Sequence, residues 1–299
     1  MQQNRNAIIF GATGQDGYYL NQLLKKKGFE GVCVSRIKGP VTGDVTDFSF
    51  VSNVIKKYQP YFVFHFAANS TTRHDALFEN HEAISTGTLN ILESVRRHCP
   101  NAKVFLPGSA LQFKNDGKPI HEQTPFEAES PYAVARIQSV YAARYYRNLN
   151  VKSYIGYFFH HDSPLRAERH LSMAIVKSTI SILNGVSEYI EVRNPDFVKE
   201  FNHAADIINA VWLMVNQDQI YEAVIGCGVG HSIEEWILTC LNYLGIDVTG
   251  RIKFRPEYKP KHTSIISSPE KIKSIGWKPV YNMNKLAQEM IKSELSKLK

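Results

Sequence analysis

Cysteine is scarce in this sequence, and the cysteines that are present form no metal-binding or disulfide pattern. The 299 residues contain four of them, none in a CxxC pair: Cys33, Cys99, Cys227 and Cys240. This spacing argues against a zinc site. Because Met1–Asn6 shows no secretory signal, it also argues against a disulfide framework. We therefore expect a cytoplasmic protein.

Long apolar runs, internal repeats and low-complexity segments are absent as well. No apolar run approaches the roughly 20 residues that a membrane-spanning helix needs, so we expect no membrane partner. There is no long run of like charge and no recognisable nucleic-acid-binding module, so we expect no nucleic-acid partner. The length favours one large domain or two closely packed domains.

The positive charge of the chain is concentrated near its end. The formal net charge is +7, and residues 251–299 contain twelve Lys and Arg against four Glu. A basic surface can attract nucleic acid, a membrane or an anionic small ligand. With the first two disfavoured, this charge indicates a phosphate-bearing ligand. A merely solvated face is the alternative.

A glycine-rich turn near the N-terminus is the strongest motif. It follows an apolar run, Ala7–Phe10, and leads into a helical pattern that begins at Tyr18. Its residues are Gly11-Ala12-Thr13-Gly14-Gln15-Asp16-Gly17. Glycines let a backbone approach a pyrophosphate closely, and the helix N-terminus attracts the negative charge. We therefore predict that the turn binds a dinucleotide.

The next strand indicates which dinucleotide is bound. Val32–Val34 reads as that strand, and Arg36 follows shortly after it. An acidic residue here would accept hydrogen bonds from the ribose 2′-hydroxyl of NAD, whereas an arginine suits the 2′-phosphate of NADP. We therefore favour NADP(H), with NAD(H) as the alternative. The other interpretation is a surface arginine that binds no ligand.

Strands and helices continue to alternate along the first half. Gly43–Asp47 closes a third strand and begins a helix; further strands are predicted over Tyr61–Phe66 and Val104–Leu106, with a helix over residues 80–98 between them. This alternation of strands and helices predicts an α/β fold with a Rossmann-type, doubly wound parallel sheet. The loops after Phe10, Phe66 and Leu106 should then converge on one site.

The second half is expected to add a smaller C-terminal substrate-binding lobe. One more strand, Tyr154–Phe159, is followed by helices at about Glu168–Leu183, Ala204–Leu213 and Ser232–Gly245. We place the dinucleotide-binding domain mainly at residues 1–160 and the lobe mainly at 161–299, with some interleaving. Adjacent histidines, His160 and His161, point different ways, and no carboxylate–histidine spacing supports a metal site.

Candidate catalytic groups follow the strand that ends at Leu106. Ser109 comes first, and Tyr132 and Arg136 lie four residues apart on one face of a helix that begins near Pro131. A cation beside a phenol favours phenolate, which suits a tyrosine for acid–base work. On this pair alone, simple packing on a helix surface is the alternative.

Together these residues resemble a known family. The glycine turn, Ser130–Ala135, Phe159–Pro164 and Gly276–Pro279 are similar to segments of the extended short-chain dehydrogenase/reductases that act on nucleotide sugars. The closest similarity is to GDP-mannose 4,6-dehydratases, and it covers nearly the whole chain.

The resemblance implies a hydride shuttle, usually at the sugar C4. Tyr132 would then be the acid/base, Ser109 would orient the sugar hydroxyl, and Arg136 stands where the family has lysine. A homodimer through the helices that include Tyr132 is also implied. The implied cofactor contacts outside the glycine turn are Arg36, Asp44, Val45, Ala67, Ala68, Tyr132, Arg136, His161 and Arg166. The implied nucleotide-sugar contacts are Ser70, His160, Lys199, Lys259 and His262.

Three departures from the family pattern shape our functional hypothesis. Arg136 lacks the compact ammonium of lysine. Ala110 and Leu111 stand where dehydratases carry an acid/base pair that includes a glutamate, and shifting the alignment by one residue still supplies no acid. His262 stands where a glutamate would help to read guanine.

We therefore expect an NADP(H)-dependent oxidoreductase that interconverts a hydroxyl and a ketone on a GDP-linked sugar, as a reductase, dehydrogenase or epimerase. The first alternative is a GDP-mannose 4,6-dehydratase. The second is a nucleotide-binding homologue with little catalysis.

Overall fold

The computed structural model describes residues 5–254 and 261–298. Its strands are β1 (Asn6–Phe10), β2 (Glu30–Ser35), β3 (Val41–Thr42), β4 (Phe62–His65), β5 (Lys103–Ser109), β6 (Lys152–Phe158), β7 (His161–Asp162), β8 (Ile190–Val192), β9 (Val198–Lys199), β10 (Asn202–His203), β11 (Glu222–Ile225), β12 (His231–Ser232), β13 (Ile252–Phe254) and β14 (Ser264–Ile265). Its α-helices are α1 (Gln15–Lys26), α2 (Phe48–Tyr58), α3 (Leu77–Asn80), α4 (Gly87–His98), α5 (Pro131–Asn148), α6 (Leu171–Leu183), α7 (Ala204–Val215), α8 (Ile233–Tyr243), α9 (Glu270–Ser274) and α10 (Met283–Ser296).

Seven strands form one sheet in the order β3-β2-β1-β4-β5-β6-β11, and every neighbouring pair is parallel. The order reverses direction at β1 and β4, which is the switch point where doubly wound sheets bind ligands. This architecture confirms the predicted α/β class. The last strand, β11, comes from the second half of the chain and pairs with β6.

Both faces of the sheet are buried. Along β1, Ile8 and Phe10 pack with α2, α4 and α5, while Ala7 and Ile9 pack with α1 and α7. Successive side chains of a strand point to opposite faces, so an uninterrupted apolar strand supplies both cores at once.

A separate core lies among α6, α8 and α10. At its centre the indole of Trp236 is fully buried and stacks on Phe201, with ring centroids 4.6 Å apart. The short strands β9, β12 and β14 pair beside this core. None of the helices that the structure describes has the length and apolarity to cross a membrane.

Several elements differ from the sequence-based expectation. The helix predicted over residues 80–98 begins at Leu77 and contains a π-helical segment, His81–Thr86, before α4. Helix α1 begins at Gln15 rather than Tyr18, because its first turn carries the polar residues of the glycine turn and shows no apolar periodicity. Strand β5 continues past Leu106 to Ser109, since Pro107 and Gly108 still pair with β6.

Candidate active site

The glycine turn packs too tightly for larger residues at two of its positions. Gly11 has a φ of 84°, and a Cβ there would lie 2.5 Å from the backbone nitrogen of Ala67. A Cβ on Gly17 would lie 2.5 Å from the carbonyl oxygen of Gly11. The turn is therefore held against both the loop that follows β4 and the first turn of α1.

The N-terminus of α1 fits an anionic group. Gly14 is the N-cap residue, and no side chain of the described part of the chain caps the helix there. The first backbone N–H groups of a helix have no partner within the helix and carry partial positive charge. Together with the close approach at Gly11, this arrangement fits the pyrophosphate of a dinucleotide.

A cleft of about 490 Å³ opens from this turn, and we call it the glycine-turn cleft. Arg36 contributes to its lining; its exposed guanidinium lies 3.9 Å from the Glu79 carboxylate. Asp44 Oδ1 accepts a hydrogen bond from Thr46 N–H at 2.9 Å. The other predicted cofactor residues in its lining are Gly11, Thr13, Gly14, Val45, Ala67 and Ala68.

A second cavity of about 410 Å³ adjoins the first through Phe66 and Ala68, and we call it the tyrosine cavity. It brings together side chains from both halves of the chain. The predicted site residues in its lining are Asp16, Ala68, Ser70, Ser109, Tyr132, Arg136, His160, His161, Arg166, Lys199 and His262. Gln15 and Gly17 lie in the first turn of α1, and Lys259 lies outside the described residues.

Tyr132 and Arg136 face each other on α5. The guanidinium carbon of Arg136 lies 5.0 Å from the centroid of the Tyr132 ring. Arg136 is 5% exposed, and its Nη1 donates to the carbonyl oxygen of Pro107 at 2.7 Å. Its Nε is buried and has no hydrogen-bond partner among the residues that the structure describes. The arginine is thus fixed between α5 and β5, beside the tyrosine.

Ser109 is fixed by the chain that follows it. Its Oγ accepts a hydrogen bond from Leu111 N–H at 3.2 Å, and its own N–H donates to Gln112 Oε1 at 2.8 Å. Ala110 and Leu111 line the tyrosine cavity beside it. The wall at these two positions therefore carries no group that can transfer a proton.

A buried cluster of charges lies on the opposite side, around Asp162. His160 Nε2 is 2.5 Å from Asp162 Oδ2 and 3.0 Å from Lys199 Nζ. Ser172 Oγ donates to Asp162 Oδ2 at 2.6 Å, and Arg166 Nε lies 3.0 Å from Asp162 Oδ1. Burial alone would raise the pKa of Asp162, but His160, Arg166 and Lys199 lower it. The carboxylate is an anion that holds the Arg166 guanidinium and the His160 imidazole in place.

Burial has the opposite effect on the basic members of this cluster. It lowers the pKa of His160 to about 4, against the attraction of Asp162. It lowers the pKa of Lys199 to about 8, and the nearby charge of Arg166 acts in the same direction. At neutral pH the cluster therefore contains a neutral imidazole and an ammonium that loses its proton easily.

His161 points away from His160, toward the first turn of α1. Its Nε2 is 3.0 Å from Asp16 Oδ1, and its Nδ1 is 2.8 Å from the Phe159 carbonyl oxygen. Burial would lower the pKa of His161, but the Asp16 carboxylate raises it above its usual value. This pair connects the glycine turn to the strand end that carries the buried cluster.

His262 stands on the rim, between the tyrosine cavity and a further cleft of about 560 Å³. Its Nε2 is 3.4 Å from Glu129 Oε2, and Lys261 forms an ion pair with the other oxygen of Glu129. Lys261 is the main cause that lowers the pKa of Glu129, while burial has the opposite effect. Glu129 is therefore ionised at neutral pH.

Sequence reasoning missed Glu129, Asp162, Asn115 and His170. Asp162 follows the predicted His160 and His161 directly in the sequence, so an acidic residue next to two histidines was the signal that could have identified it. Asn115 and His170 line the tyrosine cavity but belong to no motif, so only the fold identifies them. Across residues 5–254 and 261–298, no group of three or more His, Cys, Asp or Glu is arranged to hold a metal ion.

Comparisons with known proteins identify the family. The family model described as GDP-mannose 4,6 dehydratase matches residues 38–290. The GDP-mannose 4,6 dehydratase of Drosophila melanogaster is 27% identical, over 98% of this chain and 87% of its own length.

Two solved structures share the fold at low identity. RMD from Pseudomonas aeruginosa, complexed with NADPH, has a TM-score of 0.86 at 15% identity and covers 98% of each chain. The dTDP-glucose 4,6-dehydratase of Bacillus anthracis, in complex with NAD, has a TM-score of 0.84 at 17% identity, over 97% of this chain and 96% of that one. The resemblance predicted from the sequence is confirmed, and the chain belongs to the GDP-mannose 4,6 dehydratase family.

Proposed function

We propose that this protein is a nicotinamide-dinucleotide-dependent 4,6-dehydratase of a GDP-linked hexose, with GDP-mannose as the first substrate to test. One observation carries the proposal: Ser109, Tyr132 and Arg136 meet in a cavity that adjoins the glycine-turn cleft. The names of the relatives also support dehydration over the hydroxyl–ketone interconversion that we expected from the sequence.

The roles of the residues follow from their chemistry. The cofactor, when bound, supplies the hydride acceptor. Tyr132 takes the proton of the sugar C4 hydroxyl, and Ser109 holds that hydroxyl by a hydrogen bond. Arg136 stands where the family has lysine and places its guanidinium carbon 5.0 Å from the centroid of the Tyr132 ring. Lys199 holds the nucleotide diphosphate, because a cation suits its charge.

A specific observation favours a second candidate function. Ala110 and Leu111 put apolar side chains on the cavity wall next to Ser109. If no other group removes the proton from C5, the protein interconverts a hydroxyl and a ketone at C4 without expelling water.

Incubation with GDP-mannose and NADP+ separates the two functions. We expect a GDP-linked 4-keto-6-deoxy sugar, identified by mass spectrometry as the loss of one water. A 4-keto product that keeps its C6 hydroxyl would favour the second function. No binding of any GDP-linked sugar would contradict both.

Arg36 gives a prediction about the cofactor. We propose that it binds the 2′-phosphate of NADP, which its guanidinium suits. Arg36→Ala should raise the Kd for NADP+ about tenfold, since a partly exposed charged hydrogen bond contributes about 1.4 kcal/mol. The Kd for NAD+ should stay the same. Titration calorimetry with both dinucleotides measures this.

Arg73 supplies the control for that experiment. It is another exposed arginine in an ion pair with a carboxylate, that of Asp75, and it does not line the glycine-turn cleft. Arg73→Ala should change neither affinity. Equal weakening of NAD+ and NADP+ by Arg36→Ala would refute the role in discrimination.

Lys199 gives a prediction about pH. Below a pH of about 8 the free protein holds Lys199 protonated, and a bound diphosphate favours that form. Above this pH a proton must be taken up on binding, so the Kd for GDP should rise by up to about tenfold per pH unit. Calorimetry across this range should show the rise in the wild type and a flat profile in Lys199→Met.

The control for the pH prediction is Lys177→Met, which removes an exposed lysine paired with Glu168. Its profile should follow the wild type. A wild-type Kd that stays constant above pH 8 would disprove the coupling.

Three broader expectations remain proposals. We propose a homodimer through α4 and α5, whose exposed apolar side chains include Leu89, Tyr141 and Tyr145. A monomer in sedimentation velocity would exclude it.

We propose a cytoplasmic location, because the reducing cytoplasm suits the four free thiols. Imaging of the tagged protein would test it. We also retain the division near residue 160, which limited proteolysis would test.

A further inference from the structure

The proposed dehydration needs a group that removes the proton from C5, and the wall next to Ser109 supplies none. Among residues 5–254 and 261–298, seven side chains that can transfer a proton line the tyrosine cavity: Asp16, Tyr132, His160, His161, His170, Lys199 and His262. Tyr132 acts at C4 in the proposed mechanism. The other six differ in the contacts that their proton-binding atoms make and in their pKa values.

Three of the six are held in the contacts described above. Asp16 and His161 pair with each other at 3.0 Å, and the second ring nitrogen of His161 contacts the Phe159 carbonyl. Lys199 Nζ is directed at His160 and lies 4.9 Å from the centroid of the Phe201 ring. These contacts make the three side chains binding or structural groups.

Two of the remaining histidines are poor bases. Burial lowers the pKa of His160 to about 4, and burial together with Arg166 and Arg169 lowers the pKa of His170 to about 4. An acid–base group works best when its pKa lies near the working pH. His262 is the remaining candidate.

The position of His262 suits a group that removes the C5 proton. The segment that follows His262 is fixed to the chain that follows Ala110 and Leu111. The Asn115 side-chain amide donates to the carbonyl oxygen of Ser264 at 2.7 Å. On the other side, the Thr263 carbonyl oxygen accepts a hydrogen bond from Val198 N–H at 3.0 Å. His262 therefore lies in an anchored segment that lines the same cavity as Ser109 and Leu111.

The Glu129 carboxylate orients the imidazole of His262. The Glu129 carboxylate can only accept hydrogen bonds when ionised, so His262 Nε2, at 3.4 Å, is the donor. In the neutral imidazole the lone pair is then on Nδ1. Lys261 holds the other carboxylate oxygen and keeps Glu129 anionic. A carboxylate-oriented histidine is a recurrent acid–base unit in enzymes.

We propose that His262, oriented by Glu129, removes the C5 proton of the 4-keto sugar in this protein. The C5–H bond breaks, its proton goes to Nδ1 of His262, and its electron pair forms an enolate with the C4 carbonyl. When water is eliminated, that pair expels the C6 hydroxyl, which leaves as water after taking a proton from the imidazolium. The step involves no oxidation or reduction. It rests on the proposed function, because it requires a 4-keto sugar in the tyrosine cavity.

Hydrogen exchange tests this step without hydride transfer. The wild-type protein is incubated in D2O with a GDP-linked 4-keto-6-deoxy sugar, and deuterium at C5 is followed by NMR. We expect exchange in the wild type and at least about 100-fold slower exchange in His262→Gln, the loss expected when an acid–base group is removed. Binding of the same sugar nucleotide and the thermal unfolding temperature are measured alongside.

His231→Gln is the matched control. His231 also pairs with a glutamate at 3.4 Å, namely Glu235, but it lines neither the tyrosine cavity nor the glycine-turn cleft. Its exchange rate should equal that of the wild type. Glu129→Gln keeps His262 but removes the orienting charge, and it should slow exchange less than His262→Gln does.

A rescue variant separates loss of a base from loss of structure. Leu111→Glu places a carboxylate on the wall where the family's dehydratases carry one. In the His262→Gln background it should restore exchange, which a merely structural role of His262 would not allow.

The two proposals fail in different ways. If the wild type does not bind GDP-linked sugars, the proposed function fails and the inference fails with it. If the wild type binds the sugar and exchanges C5, but His262→Gln exchanges as fast as the wild type, the inference alone is overturned. If the wild type binds the sugar but C5 exchange is absent, the inference and the proposed dehydration both fail, and the interconversion of a hydroxyl and a ketone at C4 is favoured.

Discussion

Tyr132→Phe should lower turnover of the nucleotide sugar by about 100-fold to 10,000-fold, the range expected for a positioned acid–base group. The substitution removes only the hydroxyl, so the ring still packs beside Arg136 and the fold is kept. Binding of GDP should be unchanged. The appearance of the reduced cofactor, followed by its absorbance in a single turnover, measures the effect on the C4 step directly.

Tyr243→Phe is the control for that result, because Tyr243 lies at the end of α8 and lines neither the glycine-turn cleft nor the tyrosine cavity. It should turn over at the wild-type rate. Unchanged turnover in Tyr132→Phe would remove the acid–base role of Tyr132. A wild type that binds the dinucleotide but turns over no nucleotide sugar would instead favour the nucleotide-binding homologue.

Gly17→Ala should weaken binding of the dinucleotide by between about tenfold and 100-fold. The added methyl group would lie 2.5 Å from the carbonyl oxygen of Gly11 and 2.6 Å from the Cα of Ala12, so the turn must move away from α1. Overpacking of this kind costs about 1–3 kcal/mol, and the shift also withdraws the helix N-terminus from the pyrophosphate. Titration calorimetry with NADP+ measures the loss.

Gly14→Ala provides the comparison within the same turn. Its φ is −76°, and the nearest atom to an added Cβ is the Gly11 carbonyl oxygen at 3.4 Å, an ordinary contact. The loss of affinity should therefore be clearly smaller than in Gly17→Ala. Equal losses in the two variants would show that the close approach at Gly17 does not position the cofactor.

The parts of the fold that the sequence predicts are those fixed by local patterns. Three features can be recognised from neighbouring residues alone. They are the apolar run before Gly11, the spacing of Tyr132 and Arg136, and the alternation of strands and helices that predicts the parallel sheet. The π-helical segment at His81–Thr86 was not predicted, because its periodicity differs little from that of an α-helix over so short a stretch.

The candidate site is less predictable than the fold. His262 and Glu129 are 133 positions apart. Asp162 and Lys199 both contact His160, although α6 and β8 lie between their strands in the chain. No periodicity links such residues. Their proximity depends on how the second half of the chain folds over the sheet, and that information is spread over many weak contacts.

The last strand of the sheet has a consequence for how the chain folds. Strand β11 pairs with β6 in parallel over four residues, and it arrives about 60 residues after the end of β6. Until it does, β6 presents an unpaired edge of backbone N–H and C=O groups, which is the type of surface that recruits strands from other chains. A ribosome-bound or truncated first half would therefore be prone to aggregation, and the two halves should unfold as one cooperative unit.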